Sequence, residues 1–170
     1  MKIKLLLAAI IMLIVSSGIS EAKSKIGVFD SRLIAINNFR SESFQKEMQA
    51  MFADYKKAKE NKDTAEIKKL DEKGPLMQRI LHDKGFGRGS VAEIMERNST
   101  ELKALAKKEK LSAIVSKWEL IASGEDVEVV DITLLILKEI YKAPEDVLKM
   151  YDEMKDMKPV ENAFFLSPND

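Results

Sequence analysis

The chain has 170 residues, of which 28 are basic and 28 are acidic, and it contains no cysteine. This balanced charge gives no electrostatic basis for binding nucleic acid, and a chain without cysteine forms no disulfide and carries no lipid on a cysteine. Its single histidine also argues against a structural zinc site, which needs several His or Cys ligands.

The first 22 residues have the pattern of a secretory signal peptide. Lys2 and Lys4 give a basic start, residues 5–15 are an unbroken apolar run, and small residues precede a predicted cleavage near Ala22. The alternative is an uncleaved anchor, but the run is shorter than the about 20 residues that span a bilayer. We therefore predict an exported protein that begins at Lys23, has 26 basic and 27 acidic residues, and does not stay inserted in a membrane.

A short strand and a long amphipathic helix are predicted next. Residues 25–30 form an apolar strand that ends at the helix-capping pair Asp30-Ser31. In the long helix that follows, large apolar residues recur every three or four positions, which places them on one face. These residues are Phe44, Met48, Met51, Phe52 and Tyr55.

A second long helix is predicted after Asp63, which has capping-box spacing to Glu66. We expect a kink or break at Gly74-Pro75, because an interior proline removes a backbone donor. After a glycine-rich loop at residues 85–90, a third helix runs to Lys108 with a bend near Asn98. The apolar stripe of the second helix consists of Ile67, Leu70, Met77, Ile80 and Leu81.

The C-terminal part alternates between strand and helix patterns. Residues 111–115 and 127–130 read as strands, and residues 118–122 as a third strand between them. Helices follow at 133–140 and from Glu145. The pattern predicts an α+β fold: a small antiparallel-type sheet built from both chain ends, a helical arm inserted between them, and an extra C-terminal helix.

No residue pattern indicates catalysis, a metal or a cofactor. His82 adjoins Asp83, but neighbouring residues on a helix do not face each other, so this acid cannot orient the imidazole. The acidic residues at 125–131 lack the spacing of an EF-hand loop. We therefore predict a protein that is not an enzyme and has no cofactor.

The glycine-rich loop leaves one binding alternative open. It precedes a helix, where amide donors could hold an anion, together with Gly87, Arg88, Gly89 and Ser90. The loop lacks the Lys-Ser or Lys-Thr pair of a phosphate-binding P-loop, and no clear strand precedes it. The competing interpretation is a flexible connection that needs positive φ angles.

The two ends of the exported chain resemble the Skp/OmpH-like periplasmic chaperones. The resemblance lies in KIGVFD at residues 25–30, in Ile114-Val115, and most specifically in VEVVDIT at residues 127–133, which leads into a closing helix. Members of that family form trimers through small sheets, and their long helical hairpins hold unfolded outer-membrane proteins. Here the arm is shorter and nearly neutral, so the resemblance supports the fold more than the mechanism.

The resemblance implies a Skp/OmpH-like domain at residues 23–143, with an arm at about 40–108, then a C-terminal helix and tail at 144–170. It implies a periplasmic chaperone-like protein that binds unfolded or envelope proteins without ATP, with a homotrimer as the family's assembly. The predicted client-binding residues are Phe44, Met48, Met51, Phe52 and Tyr55. The competing interpretation is that this stripe of methionine and phenylalanine packs into the core, although methionine also suits surfaces that accept varied partners.

Overall fold

The computed structural model describes residues 23–159. Three strands, β1 (Ser24–Phe29), β2 (Ala113–Ser116) and β3 (Val127–Asp131), form one sheet in the order β2-β1-β3. β1 pairs in parallel with both neighbours. The expected antiparallel-type sheet is therefore wrong, although the sheet does join both ends of the described chain. The predicted signal peptide lies outside the described residues.

The direction of the strands follows from their connections. The chain leaves β1 at its carboxyl end and returns through a long helical crossover to begin β2 at the opposite edge. After β2, residues 117–126 carry the chain back to the edge of the sheet where β1 and β2 begin, and β3 starts there. A connection this short is more typical of an antiparallel hairpin. A period-two pattern identifies a strand but does not fix its direction, which explains the incorrect prediction.

Helices form the long crossover and follow the sheet. They lie between β1 and β2 and again after β3. They are α1 (Ser31–Phe39), α2 (Glu42–Glu60), α3 (Thr64–Gly85), α4 (Ala92–Glu96), α5 (Ser99–Lys108), α6 (Thr133–Leu135), which continues as a π-helical turn at Ile136–Ile140, and α7 (Glu145–Met154).

Aspartate side chains cap the amino ends of α1 and α3. Asp30 precedes α1 and accepts a hydrogen bond from the Arg32 amide at 3.0 Å. Asp63 precedes α3 and accepts from the Glu66 amide at 3.0 Å. Each bond satisfies an amide that has no partner within its own helix. The capping predictions at Asp30 and Asp63 are confirmed.

Two predicted interruptions differ in the structure. α3 continues through Gly74 and Pro75 without a break. Pro75 and Asp71, one turn earlier, are both exposed, so water can satisfy the carbonyl that proline leaves without a donor. The predicted third helix is instead two helices, α4 and α5, which separate at residues 97–98.

The strand predicted at residues 118–122 is also absent from the described sheet. A turn replaces it, in which the amides of Glu119 and Leu120 donate to the Ser116 carbonyl at 3.0 and 3.3 Å. The apolar residues there follow β2 directly, and the turn redirects the chain toward β3. Ile121 is consequently 99 % exposed.

One face of the sheet packs against the helices. Phe29, Ile114 and Val130 contact a buried core that α1, α4–α7 and the π-helical turn supply. Its fully buried members include Leu33, Ile34, Ile132, Ile136, Leu137 and Val147. Gly27 lies under this core, because a Cβ at this position would be 2.7 Å from Ile132 Cδ1 and 2.8 Å from Leu111 Cδ1.

The other face of the sheet is covered less well. Successive side chains of a strand point to opposite faces. Val28 pairs in register with Val115, and Val129 pairs with Ile26, two residues before Val28. The three valines therefore lie on this same face. Val28, on the central strand, is 7 % exposed, whereas Val129, on an edge strand, is 41 % exposed. Parallel sheets are normally covered on both faces, so this apolar face is incomplete around Val129 in a single chain.

α2 and α3 form a helical hairpin, which we call the arm. Within it only Ala58 is buried, and its contacts with the remaining elements are made mainly through α1. Helices of 19 and 22 residues are about 30 Å long. The arm therefore displays most of its surface to solvent.

Candidate functional site

The arm carries an apolar groove between its two helices. The groove encloses about 470 Å³, and methionine, phenylalanine and leucine form much of its lining. α2 contributes Met48, Met51 and Phe52, and α3 contributes Gly74, Pro75, Met77, Gln78, Leu81 and His82. We call this the arm groove.

Large apolar side chains of the arm are open to water. In α2, Phe52 is 64 % exposed. In α3, Leu76 is 59 % exposed and Ile80 is 44 % exposed. Burying apolar area is worth about 25 cal/mol per Å². Of these three residues, Phe52 lines the arm groove, whereas Leu76 and Ile80 lie outside its lining. A groove with a large exposed apolar side chain is typical of a surface that binds a partner.

The arm groove unites three of the five residues predicted to bind clients. The other two have different contacts. Phe44 packs against Phe39 with ring centroids 5.4 Å apart, where α1 meets the arm. The Tyr55 ring lies 4.6 Å from the Lys59 ammonium, nearer the tip of the arm. Phe44 therefore helps to attach the arm.

Sequence reasoning missed the contribution of α3 to this groove. Met77 and Leu81 belong to the apolar stripe recognised in the sequence, but the expected break at Gly74-Pro75 separated them from α2. Because α3 is continuous, Met77 and Leu81 keep the helical phase and line the groove together with the methionines of α2. The sequence signal for this arrangement was that the apolar positions of α3 keep a period of 3.6 residues through Gly74-Pro75.

His82 forms part of the groove wall. Its ring makes an edge contact with the Phe86 ring, with centroids 6.0 Å apart. The Asp83 carboxylate instead binds Arg88, with Oδ1 2.7 Å from Nη2. The described contacts therefore give His82 no oriented acid with which to act as a general base.

The glycine-rich loop caps the end of α3. Four successive amides, at residues 86–89, donate to carbonyl oxygens of the last turn of α3 at 2.8 to 3.1 Å. Gly87 has a φ of 77°, which suits glycine. Ser90 Oγ accepts from the Ala92 amide at 3.2 Å. The amides of Gly87, Arg88 and Gly89 thus have intramolecular partners, and this geometry favours a capping role.

A buried ionic network lies at the carboxyl edge of the sheet. Asp30 follows β1 and is fully buried. Its Oδ2 lies 2.6 Å from Arg32 Nη2 and 3.1 Å from Lys117 Nζ, which follows β2. Its Oδ1 accepts from Arg32 Nε at 3.0 Å and from Trp118 Nε1 at 3.1 Å. We call these four residues the edge network.

The edge network also holds the end of α7. Arg32 Nη2 donates to the Met154 carbonyl at 2.9 Å, and Lys117 Nζ donates to the Lys155 carbonyl at 3.1 Å. The network contains two cations and one carboxylate. The carbonyls at the negative end of the α7 dipole compensate part of the remaining charge. Sequence reasoning did not identify this network.

The two cations also control the protonation of Asp30. Burial alone would raise the pKa of its carboxyl group. Hydrogen bonds and charge from Arg32 and Lys117 outweigh that effect, so the pKa of Asp30 lies below its ordinary value of 3.8. The carboxylate therefore stays ionised near neutral pH.

The acidic stretch near β3 has structural contacts. Asp131 Oδ1 accepts from the Thr133 amide at 2.8 Å and from its hydroxyl at 2.5 Å. Across residues 23–159, no three His, Cys, Asp or Glu side chains group as metal ligands would. In the same part of the chain, no helix has both the length and the apolar character to cross a membrane.

Comparison with known proteins adds no relative. The chain matches no family model, no curated protein and no solved structure. The resemblance to the Skp/OmpH-like chaperones therefore stays a prediction.

The pKa of Asp30 makes a prediction about stability and pH. Because its folded pKa is below 3.8, the carboxylate stabilises the fold fully above that value, and this contribution is lost as the pH falls through the folded pKa. Removing one partner of a buried ion pair costs about 3–5 kcal/mol. We expect Asp30→Asn to lower the free energy of unfolding near pH 7, and the difference from the unmodified chain to shrink below about pH 4.

Urea unfolding between pH 3 and 7 measures this difference. Asp146→Asn is the matched control, because Asp146 pairs with Arg40 in an exposed position and such pairs contribute less than about 1 kcal/mol. A difference for Asp30→Asn that is independent of pH would refute the proposed ionic role.

Proposed function

We propose that this protein is a periplasmic chaperone-like binding protein that holds apolar segments of unfolded or envelope proteins without ATP. It acts by binding rather than by catalysis. The arm groove is the observation that carries the proposal. The export pattern at residues 1–22 supports the periplasmic location.

The chemistry of the arm groove suits varied partners. Met48, Met51 and Met77 line it, and methionine is flexible and polarizable, so it adapts to side chains of different shape. Phe52 adds a large apolar surface at the opening. Such a groove accepts apolar side chains without requiring one sequence.

The dimensions of the groove limit the client segment. A volume of about 470 Å³ is within the range of small-molecule sites, so one groove holds a short apolar stretch and not a folded domain. An arm of about 30 Å does not enclose a whole protein. Several weak contacts along an unfolded chain are the mode of binding that this geometry favours.

Charged side chains keep the arm hydrated. Ion pairs such as Glu42–Lys46 and Lys68–Glu72, with N–O distances of 2.5 and 3.9 Å, lie on exposed positions of α2 and α3. Exposed pairs stabilise a helix only slightly. Their value here is a polar surface beside the groove, which limits self-association through the apolar side chains.

The anion-binding alternative at Gly87, Arg88, Gly89 and Ser90 stays a prediction. No specific contact favours it, because the amides of residues 86–89 already donate to α3.

We also propose that the incomplete face of the sheet is where copies of this chain assemble, with a homotrimer as the assembly that the family resemblance implies. We expect light scattering on residues 23–170 to give three times the mass of one chain. Val129→Asp places a charge on that face and should give the mass of one chain, whereas Glu128→Gln, on an exposed neighbouring residue, should not. A monomeric unmodified chain would contradict the assembly.

An aggregation assay tests the binding function. We expect the unmodified chain to suppress aggregation of an unfolded outer-membrane protein, and Phe52→Asp to require at least about fivefold more protein for equal suppression, equivalent to about 1 kcal/mol. The reason is that a carboxylate at the groove opening has to lose its hydration when an apolar segment binds.

Ala53→Asp is the control for this variant. It adds the same charge one residue further along α2, at an exposed position on a different side of the helix. No suppression by the unmodified chain at stoichiometric excess, or equal loss in both variants, would count against the proposed function.

A further inference from the structure

A second apolar groove runs along the outer edge of the sheet. It encloses about 470 Å³ and lies between β2 and the helices α4 and α5. We call it the edge groove. Apolar residues line its floor and wall, and serines and charged residues lie among them. The apolar lining comprises Phe29, Val91, Ala92, Met95, Leu102, Ala106, Ile114 and Val115.

The edge groove adjoins open backbone of β2. β2 is at the end of the strand order and pairs only with β1. The Lys117 amide donates to the Phe29 carbonyl at 2.9 Å, and backbone groups alternate in direction along a strand. The amide and carbonyl of Ile114 and the amide of Ser116 therefore face away from β1. Both residues line the groove, so this edge can pair with another strand.

The described chain ends beside this groove. Its last hydrogen bond to the fold joins the Lys158 carbonyl to Arg32 Nη1 at 3.4 Å. Lys117 in turn holds the end of α7. Arg32 and Lys117 directly follow Ser31 and Ser116, which line the edge groove. The chain therefore leaves the described structure near the carboxyl end of β2.

Residues 160–170 lie outside the described structure. Residues 160–167 read VENAFFLS and are bounded by Pro159 and Pro168. If the segment alternates with a period of two, one side carries Val160, Phe164 and Leu166. Eight extended residues span at most about 26 to 29 Å, which is enough to pass along the four residues of β2.

We propose that residues 160–167 occupy the edge groove as a strand antiparallel to β2. The segment starts at the carboxyl end of β2, so it must run toward the amino end. Phe164 and Leu166 enter the groove, and the backbone pairs with the free groups of Ile114. The occupant is this chain's own C-terminal segment and not a client. The proposal concerns a surface separate from the arm and does not depend on the chaperone-like function.

Cysteine pairs test where the segment lies, because the chain has no cysteine of its own. Lys103 is exposed and lines the edge groove. We expect Lys103→Cys with Leu166→Cys to form a disulfide within one chain at least about tenfold faster than the control pair Lys62→Cys with Leu166→Cys at the arm tip, because a docked segment raises the local thiol concentration. Equal rates, or disulfides that join two chains, would overturn the proposal.

Thiol labelling provides a second test that needs no disulfide. In Ala106→Cys, the thiol lies in the groove wall and should react slowly with a maleimide. Adding Phe164→Asp should raise the labelling rate at least about tenfold by opening the groove, while Phe165→Asp, on the other side of the period, should not. Identical rates with and without Phe164→Asp would show a groove open to other occupants and would reject the proposal.

Discussion

The buried carboxylate of Asp30 constrains much of this structure. An ionised carboxylate in a fully buried position needs charged and hydrogen-bonding partners, because its desolvation costs several kcal/mol. Arg32 and Lys117 supply the charges, and Trp118 supplies a further donor. These partners come from α1 and from the turn after β2. Only a parallel arrangement brings the carboxyl ends of β1 and β2 to the same edge, so the network requires the observed strand direction.

The same network positions the surfaces on which the functional proposals rest. Asp30 caps α1, and the arm is attached mainly through α1. Arg32 and Lys117 hold the end of α7 through carbonyl oxygens, and the proposal for the edge groove depends on that end being fixed there. The arm can remain largely exposed because it does not hold the core together. Under the proposed function, this separation leaves the arm free to bind varied partners while the edge network holds the rest of the fold.

The sequence predicted much of this architecture because its signals are local. The strand before Asp30, the capping residues and the apolar face of α2 each depend on residues a few positions apart. The strand direction, the continuity of α3 through Pro75 and the pairing of Lys117 with Asp30 depend on contacts between distant residues. Lys117 is one basic residue among many in the sequence, and nothing local separates it from an exposed lysine. The methionines of α2 were recognised, whereas their α3 partners depended on an unbroken helix.

Amide hydrogen exchange on residues 23–170 tests the central role of the edge network most directly. Lys117→Met keeps much of the apolar stem but removes the charge and the bond to the Lys155 carbonyl. A hydrogen bond to a charged group contributes about 1.5–3 kcal/mol, so α7 amides should exchange at least about tenfold faster while α3 amides change little. The exposed Lys149→Met should leave both unchanged. Unchanged α7 exchange in Lys117→Met would contradict the role given to the network.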